Sequence, residues 1–286
     1  MQYTTPQTID AAVADLAAAA GAARVLAGGT DLLVQLRAGM VSPTVVVDIK
    51  GIAETRTITR EGDGYRVGAA VTGAELGEHP DLERDWPGVV EAVELIGSTQ
   101  IQGRASMGGN LCNASPAADS VPALIAADAV CRVAGPKGVR EVPVEQICAG
   151  PGKTTLTPGE FLVSFFLPPR PGHAGDAYLR FIPRTEMDIA VVGAGVSLTL
   201  DGSGKCTSAR IALGAVTPKA LLVPDAGAAL VGTTLDDAAL AKMAAAARAA
   251  CKPIDDKRGT IEYRTQVAGV LAERAARIAL ARAKES

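Results

Sequence analysis

Two short stretches concentrate the residues able to hold a ligand. Gly97 to Asn110 reads Gly-Ser-Thr-Gln-Ile-Gln-Gly-Arg-Ala-Ser-Met-Gly-Gly-Asn and runs on through Leu111 to Asp119. Glycines free the backbone there, hydroxyl and amide side chains can hydrogen-bond, and almost no bulk intervenes between Gly103 and Pro116. Such a chain is suited to lying close against a large polar ligand. Leu26 to Leu33, Leu-Ala-Gly-Gly-Thr-Asp-Leu-Leu, has the same character. Arg24 to Leu26 reads as a short strand, and Leu32, Leu33 and Leu36 are spaced as on a helix running from Asp31 to Arg37. Gly28, Gly29 and Thr30 would then present free N–H groups at a helix N-terminus, where phosphate binds. A Gly-Gly pair is also ordinary turn chemistry, and either loop alone can be read that way. Two such loops far apart in sequence point to one extended ligand with a pyrophosphate in its middle.

Neither loop follows the commoner nucleotide codes. Gly103 to Gly108 has Walker spacing, but Gly109 and Asn110 stand where Lys and Ser or Thr are required. Gly193-Ala-Gly195 finds Leu198 at the third glycine position of a Rossmann fingerprint. Ordinary catalytic machinery is scarce. His79 and His173 are the two histidines, both in polar or turn-rich surroundings that read as surface, and no His-x-x-x-His pair, nucleophile elbow or EF-hand loop occurs. Glu91 and Glu94 share a helix face, where paired carboxylates are usually solvated. No catalytic residue and no metal ligand is assigned, and two ligand-cradling loops without acid, base or nucleophile point to a cofactor that does the reacting.

The elements that must position these loops are read in chain order. Thr8 caps an alanine-rich helix to Ala20, with Gly21 as its stop, and a strand-loop-helix-strand unit ends at Val45 to Ile49 with a right-handed crossover. Thr57 to Arg60 and Tyr65 to Ala70 flank Glu61-Gly-Asp-Gly64 as a hairpin. Helices are expected at Gly73 to His79 and Pro87 to Ile96, then at Asp119 to Ala127, where Asp119 caps the helix or meets the ligand. Strands are expected at Ala129 to Val133, Val139 to Pro143 and Glu160 to Leu167. Pro168 to Gly172 breaks the pattern as a linker. Beyond it, strands at Ala177 to Pro183, Ile189 to Leu200 and Cys206 to Val216 and helices at Leu235 to Ala250 and Ile261 to Ala283 suggest an antiparallel sheet covered by helices.

Composition narrows the class. A chain of 286 residues with 48% hydrophobic residues can build two packed units. A net charge of -3 and only 3% aromatic residues argue against a nucleic-acid partner, which calls for a basic face and stacking platforms. The five cysteines are widely spaced without Cys-x-x-Cys, so no zinc ribbon or iron–sulfur site is indicated, and the odd count fits reduced thiols in the cytoplasm. The N-terminus has no basic segment ahead of an apolar run, and no apolar stretch is long enough to span a membrane.

Ala27 to Asp31, Ser106 to Asn110 and Asn113 to Asp119, with Tyr178 to Ala190 and Arg258 to Arg264 later in the chain, resemble the FAD-binding medium subunit of molybdenum hydroxylases. That subunit occurs in carbon monoxide dehydrogenase and its relatives, and as the flavin domain of xanthine dehydrogenase. The resemblance implies an α+β fold, with a two-part FAD-binding domain of the vanillyl-alcohol-oxidase/PCMH type over residues 1-172 (subdomains about 1-54 and 55-172). A C-terminal domain over 173-286, a three-stranded antiparallel sheet with helices, follows. It assigns noncovalent FAD to Ala27, Gly28, Gly29, Thr30, Asp31 and Leu32 of the first loop and to Ser106, Gly108, Gly109 and Asn110 of the second. Asp119 matches an acidic residue that bonds the cofactor, and Ile96 and Leu162 fall where apolar side chains meet the flavin. Arg180 lies near a position that holds a flavin-side lysine in xanthine dehydrogenases, with a salt bridge to Glu186 or Asp188 as the other reading. The implied function is electron transfer, from [2Fe-2S] clusters of a small partner subunit through FAD to an external acceptor. A large molybdopterin-binding subunit oxidises the substrate, and the assembly is a dimer of heterotrimers. A self-contained flavin oxidoreductase and a flavin-free scaffold remain alternatives. The substrate (carbon monoxide, an aldehyde, an N-heterocycle) and the acceptor are left open.

Overall fold

A short strand, β1 (Gln2–Thr4), opens the chain, and Thr8 then caps α1 (Ile9–Ala18), its hydroxyl accepting from the Ala11 N–H at 3.2 Å. The computed structural model, which describes all 286 residues, continues with β2 (Ala23–Leu26), α2 (Leu32–Arg37) and β3 (Val45–Asp48). Both β1 and β2 pair with β3 in parallel, giving the order β1-β3-β2. The strand-helix-strand unit follows the sequence expectation, whereas β1 is too short to leave a pattern.

Next comes the expected hairpin, β4 (Ile58–Glu61) against β5 (Gly64–Gly68). Six helices then cross before the chain returns to the sheet: α3 (Gly73–Gly77), α4 (Pro80–Asp85), α5 (Pro87–Glu94), α6 (Thr99–Gln102), α7 (Met107–Cys112) and α8 (Ser120–Ala126). The sequence reading missed α4, α6 and α7. His79 proves to be the cap of α4, its Nδ1 accepting from the Leu82 N–H at 3.4 Å, and it packs edge-on against Tyr65. The strands β6 (Val130–Gly135) and β7 (Gly138–Pro143), a small ribbon of β8 (Cys148–Gly150) and β9 (Lys153–Thr154), and β10 (Phe161–Leu167) complete this half. The larger sheet runs β4-β5-β10-β6-β7, antiparallel throughout.

After Pro168 to Gly172 the second sheet is built from β11 (Ala174–Phe181), β12 (Val192–Leu200), β13 (Cys206–Gly214) and β14 (Leu221–Leu222), again antiparallel. It has four strands where the sequence suggested three; the fourth is a two-residue edge. Helices α9 (Pro224–Ala228), α10 (Asp237–Ala249) and α11 (Ile261–Glu285) follow. The alanine-rich face of α11 is a close-packing surface, with Ala268, Ala272, Ala275, Ala276 and Ala279 fully buried against the sheet side of the core. No helix is long and apolar enough to cross a membrane.

Arginine and carboxylate pairs join the two halves. Arg170 pairs with Asp176 at 2.6 Å and lies over the Trp86 ring, while Asp176 also accepts from the Gly88 N–H at 2.8 Å. Glu91, expected to be merely solvated, pairs with Arg282 and accepts from the Tyr178 N–H at 3.2 Å. The Gly193-Ala-Gly195 pair sits within β12, where a Cβ on Gly195 would lie 2.6 Å from the Pro122 carbonyl oxygen of α8. Gly195 thus serves helix-on-strand approach, and Gly193 leaves room for the Tyr178 hydroxyl of β11, which a Cβ there would meet at 2.5 Å.

The late Arg258 to Arg264 segment is likewise explained by internal bonds. Thr260 caps α11 through the Tyr263 N–H at 3.1 Å, and the buried Arg264 donates to the Val191 carbonyl at 2.8 Å and pairs with Asp256 at 2.7 Å. Arg258 holds Asp188 at 2.8 Å, with Arg184 on its other side at 3.1 Å.

Candidate functional site

The first glycine loop follows the C-terminal end of β2, a parallel strand, and leads into α2; the second is drawn into α6 and α7. Ser106 caps α7, its hydroxyl accepting from the Gly109 N–H at 3.1 Å, while Met107 and Leu111 anchor the helix in the core. The two loops touch directly. A Cβ built on Gly28 would fall 1.7 Å from the Arg104 carbonyl oxygen, and the Arg104 guanidinium donates back to the Gly28 carbonyl at 3.4 Å. Gly29 has φ of +81°, a conformation that disfavours any residue with a side chain. Turn geometry therefore accounts for Gly29, whereas Gly28 answers to the approach of the second loop.

Between the loops lies a cavity of about 530 Å³. Its wall includes Ala27, Gly28, Gly29, Thr30, Asp31 and Leu32 from the first loop, Ser106, Gly108, Gly109 and Asn110 from the second, and the side chains Ile96 and Leu162. The backbone N–H groups of Gly28, Gly29, Thr30, Asp31 and Leu32 donate to no other group of the chain, nor do those of Met107 and Gly108. Charged side chains on the wall are few: Arg24, Asp31 and Glu160. Burial raises the Asp31 carboxyl, while the Arg140 guanidinium holds Glu160 down at about 2. An anionic ligand here would be met chiefly by backbone dipoles, the arrangement that suits a pyrophosphate. A cradle of free N–H groups on two loops, closed by a glycine with no room for a Cβ, fits a dinucleotide such as FAD.

Asp119 and Arg180 are the two expected residues that lie outside this wall. Arg180 Nη1 donates to Asp119 at 3.1 Å and to the Leu95 carbonyl at 2.6 Å, and the Tyr178 hydroxyl donates to Asp119 at 3.2 Å. Arg180 thus pairs with neither Glu186 nor Asp188, and the Asp119 side chain makes no capping bond to α8. Burial lifts the Asp119 carboxyl to about 6 even though Arg180 pulls it down.

Several wall residues escaped the sequence reading. Gln35 of α2 donates to Asn113 at 3.0 Å, tying the first loop's helix to the end of the second loop, and both residues line the cavity. Arg24, Val41, Thr157 and Glu160 also line it. A polar residue four positions after Asp31, on the same helix face, was the available signal for Gln35. The others come from strand ends and turns whose placement depends on the fold.

Comparison with known proteins adds an independent line. Residues 1–170 match the family described as the FAD binding domain in molybdopterin dehydrogenase, and residues 177–279 the CO dehydrogenase flavoprotein C-terminal domain. The carbon monoxide dehydrogenase medium chain of Afipia carboxidovorans is 36% identical over 282 residues, covering 99% of this chain and 97% of that protein. A putative xanthine dehydrogenase FAD-binding subunit of Escherichia coli is 39% identical over 68% of each chain. Among solved structures, reconstituted CO dehydrogenase from Oligotropha carboxidovorans superposes with a TM-score of 0.94 at 36% identity, over 99% of this chain and 98% of that one.

Proposed function

The chain belongs to the FAD-binding subunits of molybdopterin dehydrogenases, and from that premise we propose that it is the electron-transferring medium subunit of a heterotrimeric molybdenum hydroxylase. The observation that carries this reading is the pair of loops whose unpaired N–H groups share one cavity wall. In the proposed complex, FAD bound there supplies a redox-active ring that takes electrons from [2Fe-2S] clusters of a small subunit and yields them to an external acceptor.

Ala27 to Leu32 hold the pyrophosphate through their N–H groups, with Ser106, Gly108, Gly109 and Asn110 closing the other side. Ile96 and Leu162 give the ring system an apolar wall. Attachment is noncovalent: neither loop offers a histidine or tyrosine, and burial pushes the Cys112 thiol up to about 12, which leaves it a poor nucleophile. Substrate oxidation falls to the large molybdopterin subunit, since this cavity wall brings no general acid, base and nucleophile together. The two-part FAD domain, of the vanillyl-alcohol-oxidase/PCMH type, comprises about 1-54 and 55-172, and 173-286 forms the C-terminal domain; the family matches ending at 170 and resuming at 177 support that division. A dimer of heterotrimers in the cytoplasm completes the reading.

The test is reduction of the flavin under anaerobic conditions. Co-expressed with a large molybdopterin-type chain and a small chain carrying two cysteine clusters from the same organism, the subunit should bleach when carbon monoxide, an aldehyde or an N-heterocycle that the complex oxidises is added. The isolated FAD-loaded chain should not respond. Bleaching of the isolated chain by the same compound would instead make it an oxidoreductase in its own right.

A further inference from the structure

A lysine that is not on the cavity wall bonds the backbone of the first glycine loop. Lys50 Nζ donates to the Ala27 carbonyl at 2.8 Å and to Asp48 Oδ1 at 2.7 Å. Asp48 is the last residue of β3 and pairs in register with Leu26, the last of β2, so its carboxylate stands beside the point where the loop departs. Its Oδ1 also accepts from the Lys50 N–H at 3.0 Å, which opens the 3-10 turn Ile49–Gly51 and folds the lysine back toward β2. Its Oδ2 accepts from the Tyr3 hydroxyl of β1 at 2.6 Å. Each strand of the small parallel sheet thus helps to place this one ammonium, whose side chain is only 25% exposed.

In a planar trans peptide the C=O and the N–H point in opposite directions. The Ala27 carbonyl and the Gly28 N–H belong to one such peptide. Lys50 takes the oxygen, while the N–H donates to no group of the chain although Gly28 lines the cavity. The following peptide repeats the arrangement in weaker form: the Gly28 carbonyl accepts from Arg104 Nε at 3.4 Å, and the Gly29 N–H is free. A hydrogen bond from a cation is stronger than one between neutral groups, and it polarises the carbonyl it reaches, which makes the N–H of the same peptide a better donor.

We infer that Lys50 is a positioning residue for the anionic part of the ligand. From outside the wall it turns and polarises the Ala27–Gly28 peptide so that the Gly28 N–H meets the pyrophosphate, and Asp48, braced by Tyr3, sets where the ammonium stands. This rests on the FAD reading of the cavity. The pull of the cradle on an anion then comes in part from a charge that never touches the cofactor, offsetting a wall that carries the carboxylates of Asp31 and Glu160.

The test uses the full chain freed of flavin and titrated with FAD, with the phosphorus resonances and the visible circular dichroism of the bound cofactor as separate readouts. Lys50→Met keeps the aliphatic stem and removes the donor. It should weaken FAD binding by about tenfold and move the pyrophosphate resonances, while the dichroism of the ring system, walled by Ile96 and Leu162, keeps its shape. Lys50→Arg, which keeps a cationic donor for the Ala27 carbonyl, should recover most of the affinity. Wild-type affinity and resonances in Lys50→Met would overturn the inference. So would a loss of affinity that leaves the resonances unmoved, since a merely structural lysine acts by loosening the sheet and not by turning one peptide. Should Lys50→Met fail to fold, Lys50→Gln, shorter and uncharged, takes its place and is read in the same way. If the wild-type chain itself binds no FAD, the reading of the cavity falls and this inference with it, an outcome distinct from variants that match a flavin-binding wild type.

Discussion

At Gly28 a methyl group would meet the Arg104 backbone, and at Gly29 it would demand a left-handed backbone at φ +81° while pressing on Leu26 and Leu33 at 3.1 Å. Gly109 differs from both: it is helical, and a Cβ there would approach only Ser106 Oγ, at 3.4 Å. The three glycines look alike in the sequence, but only Gly109 leaves open space where a side chain would enter the ligand's volume. Gly109→Val should therefore keep the fold, with unfolding free energy within about 1 kcal/mol of wild type as for other helix-surface changes, while losing FAD. Gly28→Ala should lower stability as well as binding, since the loops must part. Thermal melts of the FAD-free variants, paired with FAD titrations, check this. Wild-type flavin affinity in Gly109→Val would remove the second loop from the ligand wall.

Long elements were legible because their periodicity was: the hairpin at Glu61 to Gly64, the strands β10, β11 and β12, and the helices α10 and α11 fall close to where apolar spacing puts them. The short helices α6 and α7 were not, since Gly103, Gly108 and Gly109 lower helix propensity, and α7 is made by the Ser106 cap with the burial of Met107 and Leu111. That the two loops face one another across a shared space was legible in their composition, but the latch between Gly28 and Arg104 and the clamp between Gln35 and Asn113 depend on long-range packing that no spacing reveals. The same is true of Glu160 at the head of β10. It reaches over β6 to Arg140 on β7 at 2.8 Å, takes the Thr157 N–H at 2.8 Å, and needs Gly135 beneath it, where a Cβ would lie 2.5 Å from its own side chain. Its carboxyl is held at about 2, below the ordinary 4.5, chiefly by the Arg140 hydrogen bonds. A depressed pKa adds stability above the unfolded value that is lost as pH falls through the folded one. Glu160→Gln should thus melt at a lower temperature than wild type at pH 6, and the gap should close between about pH 4.5 and pH 2. A gap of constant size across that range would show that the charge on Glu160 does not hold the strand.

Across the whole molecule, polar pairs join the two halves alongside apolar contact, which brings Tyr178, Ala212 and Ala220 into the first half's core. Asp176 is the most demanding member: burial raises its carboxyl, Arg170 offsets this at 2.6 Å, and the Gly88 N–H supplies the remaining bond at 2.8 Å. Side-chain exposures of 12% for Arg170 and 6% for Asp176 leave water little chance to substitute for either partner. Taking one partner from a buried pair typically costs about 3–5 kcal/mol, because the other charge is left desolvated. Arg170→Met should show that loss, and with the arginine gone the Asp176 carboxyl should rise further. A raised folded pKa gives stability that is present at low pH and disappears as pH climbs through it, so the variant should be most damaged near pH 8 and recover toward wild type near pH 5. Adding Asp176→Asn to Arg170→Met should abolish that pH dependence. Urea unfolding of the single and double variants at the two pH values measures all of this. A loss in Arg170→Met that is the same at pH 8 and pH 5 would mean that the two halves are joined by packing against Trp86 and its neighbours, with the ion pair incidental.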